Sequence, residues 1–151
     1  MASNYPSNLT NRKYFDAAVP FTSNQARKAL SESPLKHLQL YTVDRIYYCL
    51  SDDLCNELLQ EIGTNHIKYV NERFDCDDFA SYFRSLASVK FGTNSVGLIL
   101  DISGEHSYNT VLTCNNSVLE VKIVEPQTDK IITKYPDAEH HYVGSSGFIL
   151  L

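Results

Sequence analysis

No cluster of lysine or arginine occurs anywhere in the sequence, and the net charge at pH 7 is −5. A protein that tracks a phosphate backbone needs concentrated positive charge, so nucleic acid is not an expected partner. No apolar run approaches the roughly 20 residues of a membrane span. The first ten residues are polar and lack the apolar core of a secretory signal, which sets the expectation of a cytoplasmic protein with no membrane partner. Cysteine is sparse, and the spacing of Cys49, Cys55, Cys76 and Cys114 fits no zinc pattern. In a reducing compartment all four are expected as free thiols. Internal repeats and low-complexity tracts are missing too.

What remains is an ordinary globular chain. With 151 residues, 43% apolar and 21% charged, it has room for one core and therefore one principal site. Residues 1–20, with Pro6 and Pro20 and little periodicity, read as a flexible N-terminal arm, and residues 21–151 as a single domain. Ser33-Pro34 predicts a helix start, continued by Leu35, Leu38, Tyr41, Ile46, Tyr47 and Leu50 at near-helical spacing. Ser51 caps a second helix, with Asp52 and Asp53 in its first turn and Gly63 as its stop. A third starts near Asp75, turns Phe79, Ala80, Phe83, Leu86 and Ala87 inward, and ends at Gly92. From Ser95 the pattern becomes strands, over 96–102, 106–114, 118–125 and 147–151. Helices followed by an antiparallel sheet make an α+β domain.

Cys76 falls in the first turn of the third helix, where unpaired N–H groups and the helix dipole favour a thiolate. Asp75 and Asp78 have the spacing of a capping box around it, and Asp77 and Asp78 work against ionisation of a neighbouring thiol. A hard cation on Asp77 and Asp78 would offset them, and calcium takes such oxygen ligands. A hairpin turn at Asn115-Asn116 would set Cys114 against Ser117 and, counting back, His106 against Glu125. Both would then end a core-facing row, close enough to hydrogen-bond. A turn at Ser103-Gly104 would set Asp101 against His106 from the other side, so either acid can orient that imidazole. Glu125 is favoured because its face is the apolar one. The remaining histidines, His37, His66, His140 and His141, fit no such geometry and are expected to be ordinary polar residues.

Three blocks, Phe74-Asp75-Cys76-Asp77-Asp78-Phe79-Ala80, Gly104-Glu105-His106-Ser107-Tyr108-Asn109 and Val124-Glu125-Pro126-Gln127, resemble a known family. It is that of the calcium-dependent protease domain of the Marasmius oreades agglutinin and of related small bacterial and phage proteins. The resemblance covers residues 65–130 and includes no lectin domain. It implies a papain-like fold, a catalytic triad of Cys76, His106 and Glu125, and Asp77, Asp78 and Gln127 near calcium. The oxyanion-hole glutamine common in papain-like enzymes is missing at its usual offset, and Asn71 is the substitute. The expected function is thus a calcium-activated cysteine hydrolase, a peptidase acting on a protein or peptide substrate. The alternatives are a transglutaminase or deamidase, a catalytically silent papain-like binding protein, and a calcium-switched structural module.

Overall fold

The computed structural model describes residues 12–133 and 142–151. Its first elements are α1 (Arg12–Ala17) and β1 (Val19–Thr22), followed by α2 (Ser23–Ser31), which starts at a capping box between Thr22 and Gln25. The described part of the expected arm is therefore structured. Tyr14 is buried against Phe91, and its hydroxyl donates to Glu57 and Glu61.

Where one long helix is expected from Ser33, the chain makes a 3-10 turn over Pro34–His37 and then two strands, β2 (Gln39–Tyr41) and β3 (Ile46–Cys49). The physical reason is the run Ile46-Tyr47-Tyr48-Cys49, which alternates exposed and buried with a period of two. Its β-branched and aromatic residues suit a pleated surface, and the helical spacing of the neighbouring leucines is coincidental. The next two helices lie where the caps put them. Helix α3 (Asp52–Ile62) is capped by the Ser51 hydroxyl and ends on Gly63 in the left-handed region, and α4 (Cys76–Phe91) ends the same way on Gly92.

The remaining strands are β4 (Val96–Asp101), β5 (His106–Asn115), β6 (Val118–Glu125), β7 (Lys130–Ile132) and β8 (Gly147–Leu150). They join β2 in a six-stranded sheet ordered β2-β8-β4-β5-β6-β7, while β1 and β3 pair separately. The expected purely antiparallel sheet is corrected here, because β2 runs parallel to β8 and the sheet is mixed. One face, with Ile99, Tyr108, Leu112 and Ile123, packs beneath α2 and Tyr142. The other, with Val96, Val111 and Val124, packs beneath α3 and α4. A helix on each face buries both sides of the central strands, which explains why β5 is an almost unbroken buried run.

Candidate functional site

Helix α4 is held to the sheet along its length. Asn109 Nδ2 on β5 donates to the Ala80 carbonyl at 3.0 Å and to the Gly97 carbonyl at 3.1 Å, and Arg84 Nε donates to the Val96 carbonyl at 3.1 Å. Val96 stands across from Val111, so four helix residues advance alongside about two strand residues, as the two rises require. Carried back one turn, Cys76 lies level with the start of β5. The head of α4 and His106 therefore occupy the same end of the sheet.

The β5–β6 turn is one residue later than the sequence suggests. Asn116 and Ser117, both at positive φ, form it, and Asn115 stands across from Val118. Extending that register from Asn109 and Val124 sets Glu125 across from Tyr108 rather than His106. The slip moves each partner by two positions, which keeps every side chain on its face, and a diagonal neighbour is still within reach of two long side chains. His106 Nε2 lies 2.7 Å from Glu125 Oε2. Glu125 is 4% exposed, and it also accepts from the Tyr142 hydroxyl at 2.6 Å and the Gln127 N–H at 2.9 Å. Burial pushes its carboxyl up, but the hydrogen bonds from His106, Tyr142 and Gln127 outweigh it and hold the group below its ordinary value. His106 keeps a partly exposed edge and packs on the rings of Tyr108 and Tyr142.

Asp101 stands across from His106 on β4, but its carboxylate is engaged elsewhere. It accepts from Ser103 Oγ, the Gly104 N–H, the Tyr108 hydroxyl and the Gly144 N–H. The acid that touches His106 is Glu125. Tyr142 is absent from the sequence expectations, because the residues before it have no hydrophobic period to read.

At the head of α4 the Asp78 carboxylate accepts the Asp75 N–H, completing the cap, and the Asp75 carboxylate accepts the Glu72 N–H. Asp75 and Asp77 share a hydrogen bond between their carboxyls, which pushes Asp77 up and Asp75 down. Ligand atoms of Asp75, Cys76 and Asp77 lie within 4.8 Å of one another. Of the expected metal residues, Asp77 is thus in this group, Asp78 serves the cap, and Gln127 is joined to Glu125. Exposed Tyr69 and Tyr82 flank the same helix head, with Tyr82 edge-on to Phe74. Among the described residues no hydrogen bond joins Cys76 to His106. Asn71 is exposed, as are His37 and His66, while His140 and His141 lie outside the described residues.

All four cysteines are free, and Cys76 alone is not fully buried. Burial pushes the thiols of Cys49 and Cys55 up to about 12. Ellman's reagent at pH 8 is therefore expected to label one thiol per native chain and four after denaturation, with the native signal lost in Cys76→Ser. Two or more fast-reacting thiols in the native protein would contradict the packing around β3, α3 and β5.

A family model described as the ricin-type beta-trefoil lectin C-terminal domain matches residues 22–143. No curated protein matches the chain. Among solved structures, one described as "PSL1a-E64 complex" is similar with a TM-score of 0.64 and 21% identity, over 87% of this chain and 50% of that one. A second, the Polyporus squamosus lectin bound to the human-type influenza-binding epitope Neu5Aca2-6Galb1-4GlcNAc, has a TM-score of 0.61 and 24% identity, over 87% and 49%. The chain thus spans about half the length of these structures.

The matches correct the reading drawn from the three sequence blocks. The matched family is a lectin family, and the Polyporus squamosus protein, whose fold this chain shares, is itself a lectin. Recognition as a papain-like, calcium-dependent protease and assignment to a papain-like fold give way to this relationship. So do the functional expectation of a cysteine hydrolase and its classification as a peptidase enzyme. The lectin structure is described with a glycan, whereas the expected substrate is a peptide. Among the described residues no helix is long and apolar enough to cross a membrane.

Proposed function

Because the chain belongs to the ricin-type beta-trefoil lectin C-terminal domain family, we propose that it is a carbohydrate-binding module whose glycan contact lies at the end of the sheet shared by Cys76 and His106. The family match is the observation that carries this reading. A glycan offers hydroxyls that both donate and accept, and a ring face that packs on an aromatic side chain, so its site combines a few fixed polar groups with exposed aromatics. Tyr69 and Tyr82 supply exposed rings, Asp75 and Asp77 supply acceptors, and His106 supplies a ring nitrogen that does not face Glu125. In this reading Glu125 and Tyr142 fix the imidazole, and Cys76 borders the site.

Calcium belongs to the same proposal. Carboxylate oxygens of Asp75 and Asp77 lie within 4.8 Å of each other, and a divalent cation takes oxygen ligands of this kind. Asp78, through the cap, and Gln127, through Glu125, support the two halves of the site. Bound there, calcium would add oxygen-coordinating positions for glycan hydroxyls.

The test is a glycan array probed with the purified chain, followed by titration with Neu5Aca2-6Galb1-4GlcNAc in calcium and in EGTA. Saturable binding is expected, weakened about tenfold by His106→Ala. Asp77→Asn should weaken it more in calcium than in EGTA. An array blank in both conditions would overturn the proposal.

A further inference from the structure

A polar groove lies away from the Cys76–His106 end, between the outer face of α4 and the segments that lead into β3 and β4. It has a volume of about 460 Å³, within the range of small-ligand sites, and Arg84, Ser81, Ser85, Ser88, Asp44 and Asn94 line it. Its charged residues are Arg84 and Asp44. Arg84 uses Nε on the Val96 carbonyl, and among the described residues no carboxylate pairs with its guanidinium. The two terminal nitrogens keep a planar fork of donors suited to a carboxylate.

The serines and Asp44 offer acceptors, beside the apolar Val89 and Leu98. Ser85 Oγ donates to the Ser81 carbonyl and Ser88 Oγ to the Thr93 carbonyl, which leaves the lone pairs of both hydroxyl oxygens for a ligand. Asn94 is held in place from three sides: its Oδ1 accepts the Tyr48 N–H, and its Nδ2 donates to Asp44 Oδ2 and the Ile46 carbonyl. The groove therefore combines one fixed cationic fork with several acceptors. Sulfate could use the fork but has no donors for Asp44 and the serines, and phosphate, which carries more negative charge than a carboxylate at neutral pH, is repelled by Asp44. A neutral sugar could use the acceptors but leaves the arginine unpaired. A sugar acid does both.

We infer that this groove binds the carboxylate of an acidic sugar on Arg84, with the sugar hydroxyls donating to Ser85, Ser88 and Asp44. Glucuronic acid and glucose differ only in that carboxylate, so they are the probes. In a 15N-HSQC titration of the full chain, glucuronic acid should give saturable shifts at the amides of Ser81 to Ser88 and of Asn94, and glucose should give none there. Arg84→Gln, which can still donate to the Val96 carbonyl and whose spectrum reports its folding, should weaken glucuronic acid at least about tenfold. Arg84→Lys should recover part of that loss, and His106→Ala should leave this binding unchanged, so failure here and failure of the glycan contact at the other end are distinguishable. Equal shifts from the two sugars, shifts that persist in Arg84→Gln, or shifts confined to the His106 end would each overturn the inference.

Discussion

Replacing Asp101 with alanine is expected to lower the unfolding free energy by about 4 kcal/mol or more, as read by urea denaturation at neutral pH. Asp101 is 2% exposed and accepts four hydrogen bonds, from Ser103 Oγ, the Gly104 N–H, the Tyr108 hydroxyl and the Gly144 N–H. Those donors come from the β4–β5 loop, the first part of β5 and the segment leading into β8, so one carboxylate ties together three parts of the chain. Removing it leaves buried donors without an acceptor, which costs more than the net value of the bonds themselves. Asp101→Asn should lie between the two, because its amide oxygen still accepts while its NH2 group meets donors. A loss below about 1 kcal/mol in Asp101→Ala would mean that water satisfies these groups in the native protein.

Glu125 carries the second large effect, and it depends on pH. Its carboxyl is held below its ordinary value in the folded chain, so the unfolded chain takes up the proton first as the solution is acidified. The stabilisation is complete above the unfolded carboxyl value of about 4.3 and is lost as pH falls through the lower folded value. Urea midpoints measured from pH 7 down to pH 3 should therefore fall more steeply for the wild type than for Glu125→Gln. At pH 7, Glu125→Ala is expected to cost about 3 kcal/mol, since His106, Tyr142 and the Gln127 N–H lose their common acceptor. Parallel pH profiles for wild type and Glu125→Gln would rule out an ionised Glu125 as the source of the slope.

The elements marked by side-chain chemistry were legible in the sequence. Ser51 and Gly63 bound α3, and Asp75 with Asp78 and Gly92 bound α4, because capping is local and needs only neighbours in the chain. The stretch from Ser33 to Leu50 was not, because its leucines and tyrosines satisfy a helical spacing as well as the alternation that Ile46 to Cys49 adopts. Local spacing cannot weigh the β1 partner that decides between them. In the candidate site the His106–Glu125 contact was reached from a turn one residue out of place, and it survives because a two-position slip preserves sidedness. The Tyr142 bond to Glu125 and the Gly144 bond to Asp101 depend on contacts made far along the chain, and nothing near them announces those contacts. The family reading went astray for a related reason. Short blocks around Cys76, His106 and Glu125 report local geometry, and local geometry does not fix what a domain binds.

The place of β8 bears on how the chain reaches this structure. It enters between β2 and β4, so Gln39 to Tyr41 pair with residues about a hundred positions later in the sequence. Closing so long a loop is a slow, late event. Until it happens, β2 and β4 each expose a row of unpaired amides and carbonyls, edges on which two unfinished copies could join. Yield on refolding should therefore depend on protein concentration, with dilution favouring insertion of each chain's own β8.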